Sequence, residues 1–76
     1  MANRSREEER LLREFGARVR RLREAAGFSQ EDLAERAGIH MTYLSGIERG
    51  KRNLALINIH RLAHGLGVPV AHLFAA

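Results

Sequence analysis

The stretch SQEDLAERAGIHMTYLSGIERG, residues 29–50, decides the fold, because it contains two short helical patterns separated by a tight turn at Gly38. Ser29 is a favourable N-cap for the first helix, and Gly50 ends the second, which we predict over about 41–49. The apolar spacing assigns the core positions of this pair to Leu33, Ala34, Ala37, Leu44 and Ile47. Isolated helices shorter than about 12–15 residues are marginal in water, so the rest of the chain must hold the pair in place.

A long helix is predicted before this pair. It begins near Arg6, after a capping-box pattern formed by Ser5 and Glu8, and ends at Gly27. Its apolar face holds Leu12, Phe15, Val19, Leu22 and Ala26. On its outer face, acid-first spacing over four residues predicts the ion pairs Glu9–Arg13 and Glu14–Arg18.

Two further helices are predicted after the pair. One spans about 55–66, ends at Gly67, and has a core face of Leu56, Ile59, Leu62, Ala63 and Leu66. Pro69 suits the first position of a short fifth helix that holds Val70, Leu73 and Phe74. We therefore predict an all-α, compact five-helix bundle that forms one domain over residues 1–76, with residues 1–5 frayed.

Composition narrows the class of function. The 76 residues include no cysteine, and 13 basic residues outnumber nine acidic ones, for a net charge of +4. All the cations except Lys51 are arginines, which favour planar, bidentate partners such as phosphate and guanine edges. This balance suggests a nucleic acid or another anionic surface, and a merely solvated surface is the alternative. No apolar run is long enough for a membrane span or signal peptide, so we expect a soluble, cytoplasmic protein without a membrane partner.

Two helices joined by a short turn that contains glycine form the helix-turn-helix unit, which places its second helix in the major groove of DNA. The runs SQEDLAERAG, YLSGIERG and NIHRLAHGLGV resemble the phage repressor and Cro (XRE-type) family, a five-helix, lambda-repressor-like fold. The marker residues are Gln30, Leu33, Ala34, Gly38, Ile47, Glu48 and Gly50. More narrowly, YLSGIERGKRN followed by LINI is similar to the controller proteins of restriction-modification systems, small homodimers that bind operators upstream of their own gene.

The N-terminal half of the second helix of the unit is the part that enters the groove. It carries Met41, Thr42, Tyr43, Ser45 and Gly46, of which the three hydroxyl residues can bond to bases or phosphates. Gly46 leaves room for close approach, and Tyr43 has packing against the preceding helix as its alternative role. Met41 stands where controller proteins tend to carry an arginine that reads guanine, and it offers only apolar contact, for instance to a thymine methyl.

A second group of residues is predicted to contact phosphates, which supplies affinity rather than sequence choice. Gln30 lies at a helix start, and His40 is a poor cap whose ring could touch a phosphate or be solvated. The remaining candidates lie in the loop after the recognition helix: Arg49, Lys51, Arg52 and Asn53. The resemblance implies that Asn53 bonds phosphate or stabilises the loop, and that Arg23 and Glu48 form a partly buried structural ion pair.

A homodimer is predicted because one recognition helix reads only a few base pairs. The candidate interface residues, within a dimerisation region over about 54–76, are Leu56, Ile57, Val68, Val70 and Phe74. Completing the core is their alternative role, and controller proteins pair through the corresponding helices.

Other functions are not favoured by the sequence. His60 and His64 are four residues apart, but no third metal ligand is nearby, and there is no recognisable nucleophile, phosphate loop or paired carboxylate. We therefore predict no enzyme activity, cofactor, metal or small-molecule substrate. The partners are a double-stranded operator, a second copy of the chain and, as a further candidate, RNA polymerase. The alternatives are a phage-type repressor, an antitoxin and a protein-interaction module on the same fold.

Overall fold

The structure, a computed structural model, describes residues 4–74, and every regular element within that range is helical. The helices are α1 Arg6–Ala25, α2 Gln30–Ala37, α3 Met41–Glu48 and α4 Leu56–Leu66, followed by a 3₁₀ segment, Val70–Leu73. The all-α prediction is confirmed. The prediction of frayed residues 1–5 falls mainly on residues 1–3, which lie outside the described range; Ser5 is the N-cap of α1.

The predicted count of five α-helices is wrong. After Pro69 the chain makes only a four-residue 3₁₀ turn, with bonds from His72 N to Pro69 O (2.9 Å) and from Phe74 N to Ala71 O (3.1 Å). So short a segment lacks the length to close several i to i−4 bonds, and the tighter i to i−3 pattern is common in such pieces. Within the described residues the fold therefore has four α-helices and this terminal turn.

Two capping boxes fix where α1 and α2 begin. Ser5 Oγ accepts from Glu8 N (3.1 Å) while Glu8 returns a bond to Ser5 N (2.8 Å), and Ser29 and Asp32 repeat the arrangement at α2. The backbone N–H of Ser29 donates to the Asp32 carboxylate, and this bond, with the neighbouring Ser29 side chain as the next cause, lowers the pKa of that carboxyl. Both predicted helix starts are confirmed.

The core lies where α2, α3 and α4 meet the middle of α1. Its fully buried side chains are Val19, Leu33, Leu44, Ile47, Leu62 and Leu73. Two predicted core residues are exposed instead: Ala26 follows the last residue of α1, and Leu56 opens α4 with its side chain turned away from the core. The other predicted core residues of α4 are buried or packed against the core: Ile59, Leu62, Ala63 and Leu66.

Glycines allow two close helix crossings that position α3 and α4. A Cβ on Gly16 would stand 2.1 Å from the carbonyl oxygen of Ile47, and one on Gly65 would stand 3.0 Å from Cβ of Ala37. The end of α3 therefore lies directly on α1, and α4 lies directly on α2.

The ion pairs on the outer face of α1 differ from the predicted ones. Arg10 pairs with Glu7 (2.7 Å) and Glu14 (3.2 Å), and Arg20 pairs with Glu24 (3.2 Å). Arg18 instead donates to the carbonyl oxygen of His72 (2.7 Å) at the other end of the chain. The predicted pairs Glu9–Arg13 and Glu14–Arg18 are therefore wrong. For the second pair the reason is that Glu14 is engaged by Arg10 and Arg18 by His72.

Candidate nucleic-acid interface

The turn between α2 and α3 is set by Gly38. Its φ of 69° and ψ of 34° lie in the left-handed region, which glycine adopts without the steric cost of a Cβ. The next residue closes the end of α2, since Ile39 N donates to Ala34 O (3.0 Å). The short connection brings α3 across α2 in the arrangement expected of a helix-turn-helix unit.

A buried network behind α3 holds this helix in place. Arg23 of α1 donates two hydrogen bonds to Glu48 at the end of α3, from Nε to Oε2 (2.6 Å) and from Nη2 to Oε1 (3.0 Å). The side chain of Glu48 is only 3% exposed and that of Arg23 11%. Arg23 also donates to Phe28 O (2.8 Å), and its bond with Glu48 raises its pKa. The pair links α1, α3 and the loop before α2.

Gln30 belongs to this network, which the sequence did not reveal. Its amide Nε2 donates to Glu48 Oε1 (3.0 Å), and its side chain is half-buried rather than fully outward. The second amide N–H is left to donate to a phosphate. The helix-start position alone could not indicate a contact with a residue 18 positions away.

The outer surface of α3 begins with exposed side chains. His40, Met41 and Thr42 are exposed, and Ser45 is half-buried one turn later. His40 is the N-cap of α3, but its side chain makes no capping bond. The first two residues of α3 therefore present their side chains to solvent, and no side chain caps the backbone N–H groups of its first turn.

Two predicted recognition residues are engaged by the protein itself. Gly46 is buried rather than open, because Arg52 lies over it: a Cβ on Gly46 would stand 2.9 Å from Cγ of Arg52. The Arg52 guanidinium lies 5.7 Å from the centre of the Tyr43 ring, and Asn58 of α4 donates to the Tyr43 hydroxyl (3.2 Å). The room at Gly46 is thus occupied by Arg52, and Asn58 is a site residue that the sequence reading missed.

The loop after α3 carries the predicted phosphate-binding residues on its surface. Arg49, Lys51, Arg52 and Asn53 are exposed. The loop is fixed at its start, since Lys51 N donates to Gly46 O (2.8 Å) and Arg49 Nε donates to Ser45 O (3.3 Å). The basic side chains therefore extend from an ordered backbone beside the end of α3.

The predicted dimer residues fall into two groups. Leu56, Ile57 and Phe74 are 68%, 61% and 62% exposed, which is unusual for side chains of this size. Val68 and Val70 are instead partly buried against the core. This packing agrees with their alternative role, which is to complete the core. Phe74 also packs on Phe15, with ring centres 5.3 Å apart.

The remaining candidate sites are not assembled in the described residues. Between residues 4 and 74, no three histidine or acidic side chains cluster so that they could hold a metal ion, and both His60 and His64 are exposed. None of the helices there has the length and apolar character needed to cross a membrane.

Several known proteins are similar to this chain in sequence. Residues 14–75 match the family model of a helix-turn-helix domain. The chain is 40% identical over 62 residues to the control protein C.MunI of a Mycoplasma species, which covers 80% of this chain and 84% of the relative. It is also 48% identical over 60 residues to the control protein C.BamHI of Bacillus amyloliquefaciens. That alignment covers 78% of this chain and 72% of the relative.

Two solved structures of controller proteins have a similar fold. The restriction-modification controller protein C.AhdI from Aeromonas hydrophila superposes with a TM-score of 0.84 at 46% identity, over 86% of this chain and 98% of that one. The wild-type controller protein C.Esp1396I gives a TM-score of 0.78 at 36% identity, over 84% of each chain. The chain therefore belongs to the helix-turn-helix family of DNA-binding transcriptional regulators, which it shares with the restriction-modification controller proteins that it resembles.

Proposed function

We propose that this protein is a homodimeric regulator that binds a palindromic operator and controls the genes of a restriction-modification system. The observation that carries the proposal is the contrast across α3: a buried Arg23–Glu48 pair fixes one side, while Met41 and Thr42 are exposed on the first turn. A helix so held can place its outer side chains against base edges with little loss of conformational freedom.

Base readout is assigned to the first turn of α3. Thr42 can hydrogen-bond to a base edge, and Met41 can make an apolar contact with a thymine methyl. Ser45, half-buried one turn later, and Tyr43, held by Asn58, lie at the margin of this surface. The preferred half-site therefore depends chiefly on Met41 and Thr42.

Phosphate binding is assigned to the residues around that surface. The loop cations Arg49, Lys51 and Arg52 flank α3 and supply affinity that falls with salt, with Asn53 beside them. Gln30 and His40 stand at the starts of α2 and α3, where backbone N–H groups favour an anion. These contacts orient the protein on the duplex.

Pairing of two protomers is assigned to the first turn of α4 and the C-terminal end. Leu56 and Ile57 form an adjacent exposed apolar pair, and Phe74 adds a third exposed apolar side chain. Val68 and Val70 are partly buried against the core, so we expect them to contribute less to pairing. A two-fold dimer would place its α3 helices about 34 Å apart, one helical turn of DNA.

The proposal includes no catalytic residue, cofactor, metal or small-molecule substrate, and RNA polymerase is a further candidate partner. A phage-type repressor, an antitoxin or a protein-interaction module on this fold has no observation of its own in favour.

Pairing can be tested with Ile57→Asp, which puts a charge on the exposed apolar face without disturbing the core. We expect sedimentation equilibrium to give a dimer for the wild type and a monomer for the variant. We also expect the variant to lose operator binding while keeping weak binding to random duplex. A variant that remains dimeric with unchanged operator affinity would remove α4 from the proposed interface.

A further inference from the structure

A second basic surface lies beside the loop that follows α3, on the side of α1. It is a shallow groove of about 150 Å³, which we call the α1 groove, lined by Arg4, Glu9, Arg13, Arg49, Gly50 and Lys51. Four cations thus face the space with a single carboxylate. Two of them, Arg4 and Arg13, precede the helix-turn-helix unit in the chain.

The backbone at Gly50 builds this groove. Gly50 has a φ of 73°, and a Cβ there would stand 2.8 Å from Cα of Arg13, so the loop runs directly against α1. Arg13 on α1 and Lys51 on the loop therefore leave the backbone from adjoining positions. An anion held by Lys51 or Arg49 would be within reach of the long, flexible Arg13 side chain.

The four cations of the α1 groove outnumber its one carboxylate, Glu9, and none of them is paired with it within 4.0 Å. Among the described residues of α1, Arg10, Arg20 and Arg23 have carboxylate partners within 4.0 Å, whereas Arg6, Arg18 and Arg21, which lie outside the groove, have none. Within the described part of the chain, Arg4, Arg13, Arg49 and Lys51 have none, even though Glu9 is four residues before Arg13. Like charges brought together without partners favour a bound anion.

We propose that the α1 groove binds the sugar-phosphate backbone of DNA beside the segment read by α3, so that α1 adds phosphate contacts through Arg13 and Arg4. This inference rests on the proposed function. Duplex DNA fits because two of the lining residues, Arg49 and Lys51, lie just after α3, the proposed recognition helix. Arginine forks match phosphate oxygens, and neighbouring phosphates would meet several cations at once.

The test is the salt dependence of duplex binding by the full chain. Affinity for a DNA duplex is measured over a series of salt concentrations for the wild type, Arg13→Ala and Arg20→Ala. Arg20→Ala is the matched control, because it removes the same charge from the same helix at a residue already paired with Glu24. We expect Arg13→Ala to reduce the magnitude of the slope of log affinity against log salt by about 0.9, the value for one lost phosphate contact.

The same experiment separates this inference from the proposed function. Arg13→Ala should weaken specific and random duplexes by the same factor, and Arg20→Ala should leave the slope unchanged. If the wild type binds DNA and the two variants have the same slope, the α1 groove does not contact the backbone. If the wild type shows no salt-dependent duplex binding at all, the proposed function fails and this inference fails with it.

A second variant gives a change of opposite sign. Glu9→Gln removes the only carboxylate in the groove, so we expect every duplex to bind more tightly, on the order of twofold for a charge about 8 Å from a phosphate in water. Unchanged or weaker binding by a Glu9→Gln protein with wild-type thermal unfolding would contradict the proposal. Because the expected effect is a gain, a folding defect cannot imitate it.

Discussion

Arginine has opposite roles on the two sides of α3. Behind the helix, Arg23 is buried and makes three hydrogen bonds, two of them to Glu48. In the loop beside the helix, Arg49 and Arg52 are exposed and, within the described residues, have no carboxylate within 4.0 Å. The first arrangement fixes the recognition helix, and the second leaves charge for a polyanion. The comparison implies that stability and DNA affinity can be changed separately.

The largest effect is expected from Arg23→Ala. The change leaves the Glu48 carboxylate buried without its cation, which costs about 3–5 kcal/mol, a large fraction of the stability of a small domain. Urea denaturation followed by circular dichroism measures the loss. The control is Arg20→Ala, whose exposed pair with Glu24 contributes at most about 1 kcal/mol. Equal, small losses of unfolding free energy in both variants would mean that the Arg23–Glu48 pair does not hold α3 in place.

Thr42→Ala is expected to act on recognition alone. If Thr42 bonds to a base edge, its removal should cost about 0.5–1.5 kcal/mol on the operator, the value of one neutral hydrogen bond, and nothing on random duplex. Unfolding should be unchanged, because Thr42 is exposed. Fluorescence anisotropy with both duplexes measures the two affinities. Equal losses on operator and random DNA would remove Thr42 from base readout.

Arg52→Ala is expected to act on affinity without regard to sequence. All duplexes should bind more weakly, and the salt slope should fall by about 1 if Arg52 holds one phosphate. The same anisotropy series at several salt concentrations gives the slope. A selective loss on the operator would instead assign Arg52 to base readout.

Asn58→Ala tests whether the contact between α4 and Tyr43 positions Arg52. Removing the donor to the Tyr43 hydroxyl should loosen the ring that lies beneath the guanidinium. We expect a smaller loss of affinity than for Arg52→Ala, and no further loss when both changes are combined, since they act through one unit. Fully additive losses would show that Asn58 and Arg52 act independently.

The smallest effect concerns pH. Bonds from Ser29 lower the pKa of Asp32, so this carboxylate contributes stability above its unfolded pKa, which is lost as pH falls through the folded value. Asp32→Asn should therefore be less stable than the wild type at pH 7, and the difference should shrink below about pH 4. Denaturation of both proteins at pH 7 and pH 3 checks this.

Local patterns in the sequence predicted much of the fold, and contacts between distant residues account for what they missed. The capping boxes at Ser5 and Ser29 lie within four residues of chain, so the helix starts could be predicted. By contrast, Asn58 reaches Tyr43 across 15 positions and Gln30 reaches Glu48 across 18. No periodicity encodes such contacts.

The same distinction explains the errors. Leu56 fits the apolar period of α4, but its position in the first turn places it beyond the edge of the core. Gly46 was expected to face open space, and the residue that covers it, Arg52, comes from the following loop. Charge pairs on α1 were also misassigned, because several acids lie within reach of each arginine and tertiary contacts decide among them.

Selection of bound sequences from a randomised duplex library shows whether α3 reads a specific operator. The purified protein is used at near-physiological salt, so that nonspecific binding is suppressed. We expect enrichment of an inverted repeat with half-sites about 10 base pairs apart, centre to centre, and a changed half-site when Thr42→Ala is used. No enrichment by a protein that unfolds cooperatively, or enrichment that Thr42→Ala leaves unaltered, would contradict the assignment of α3 as the helix that reads the operator.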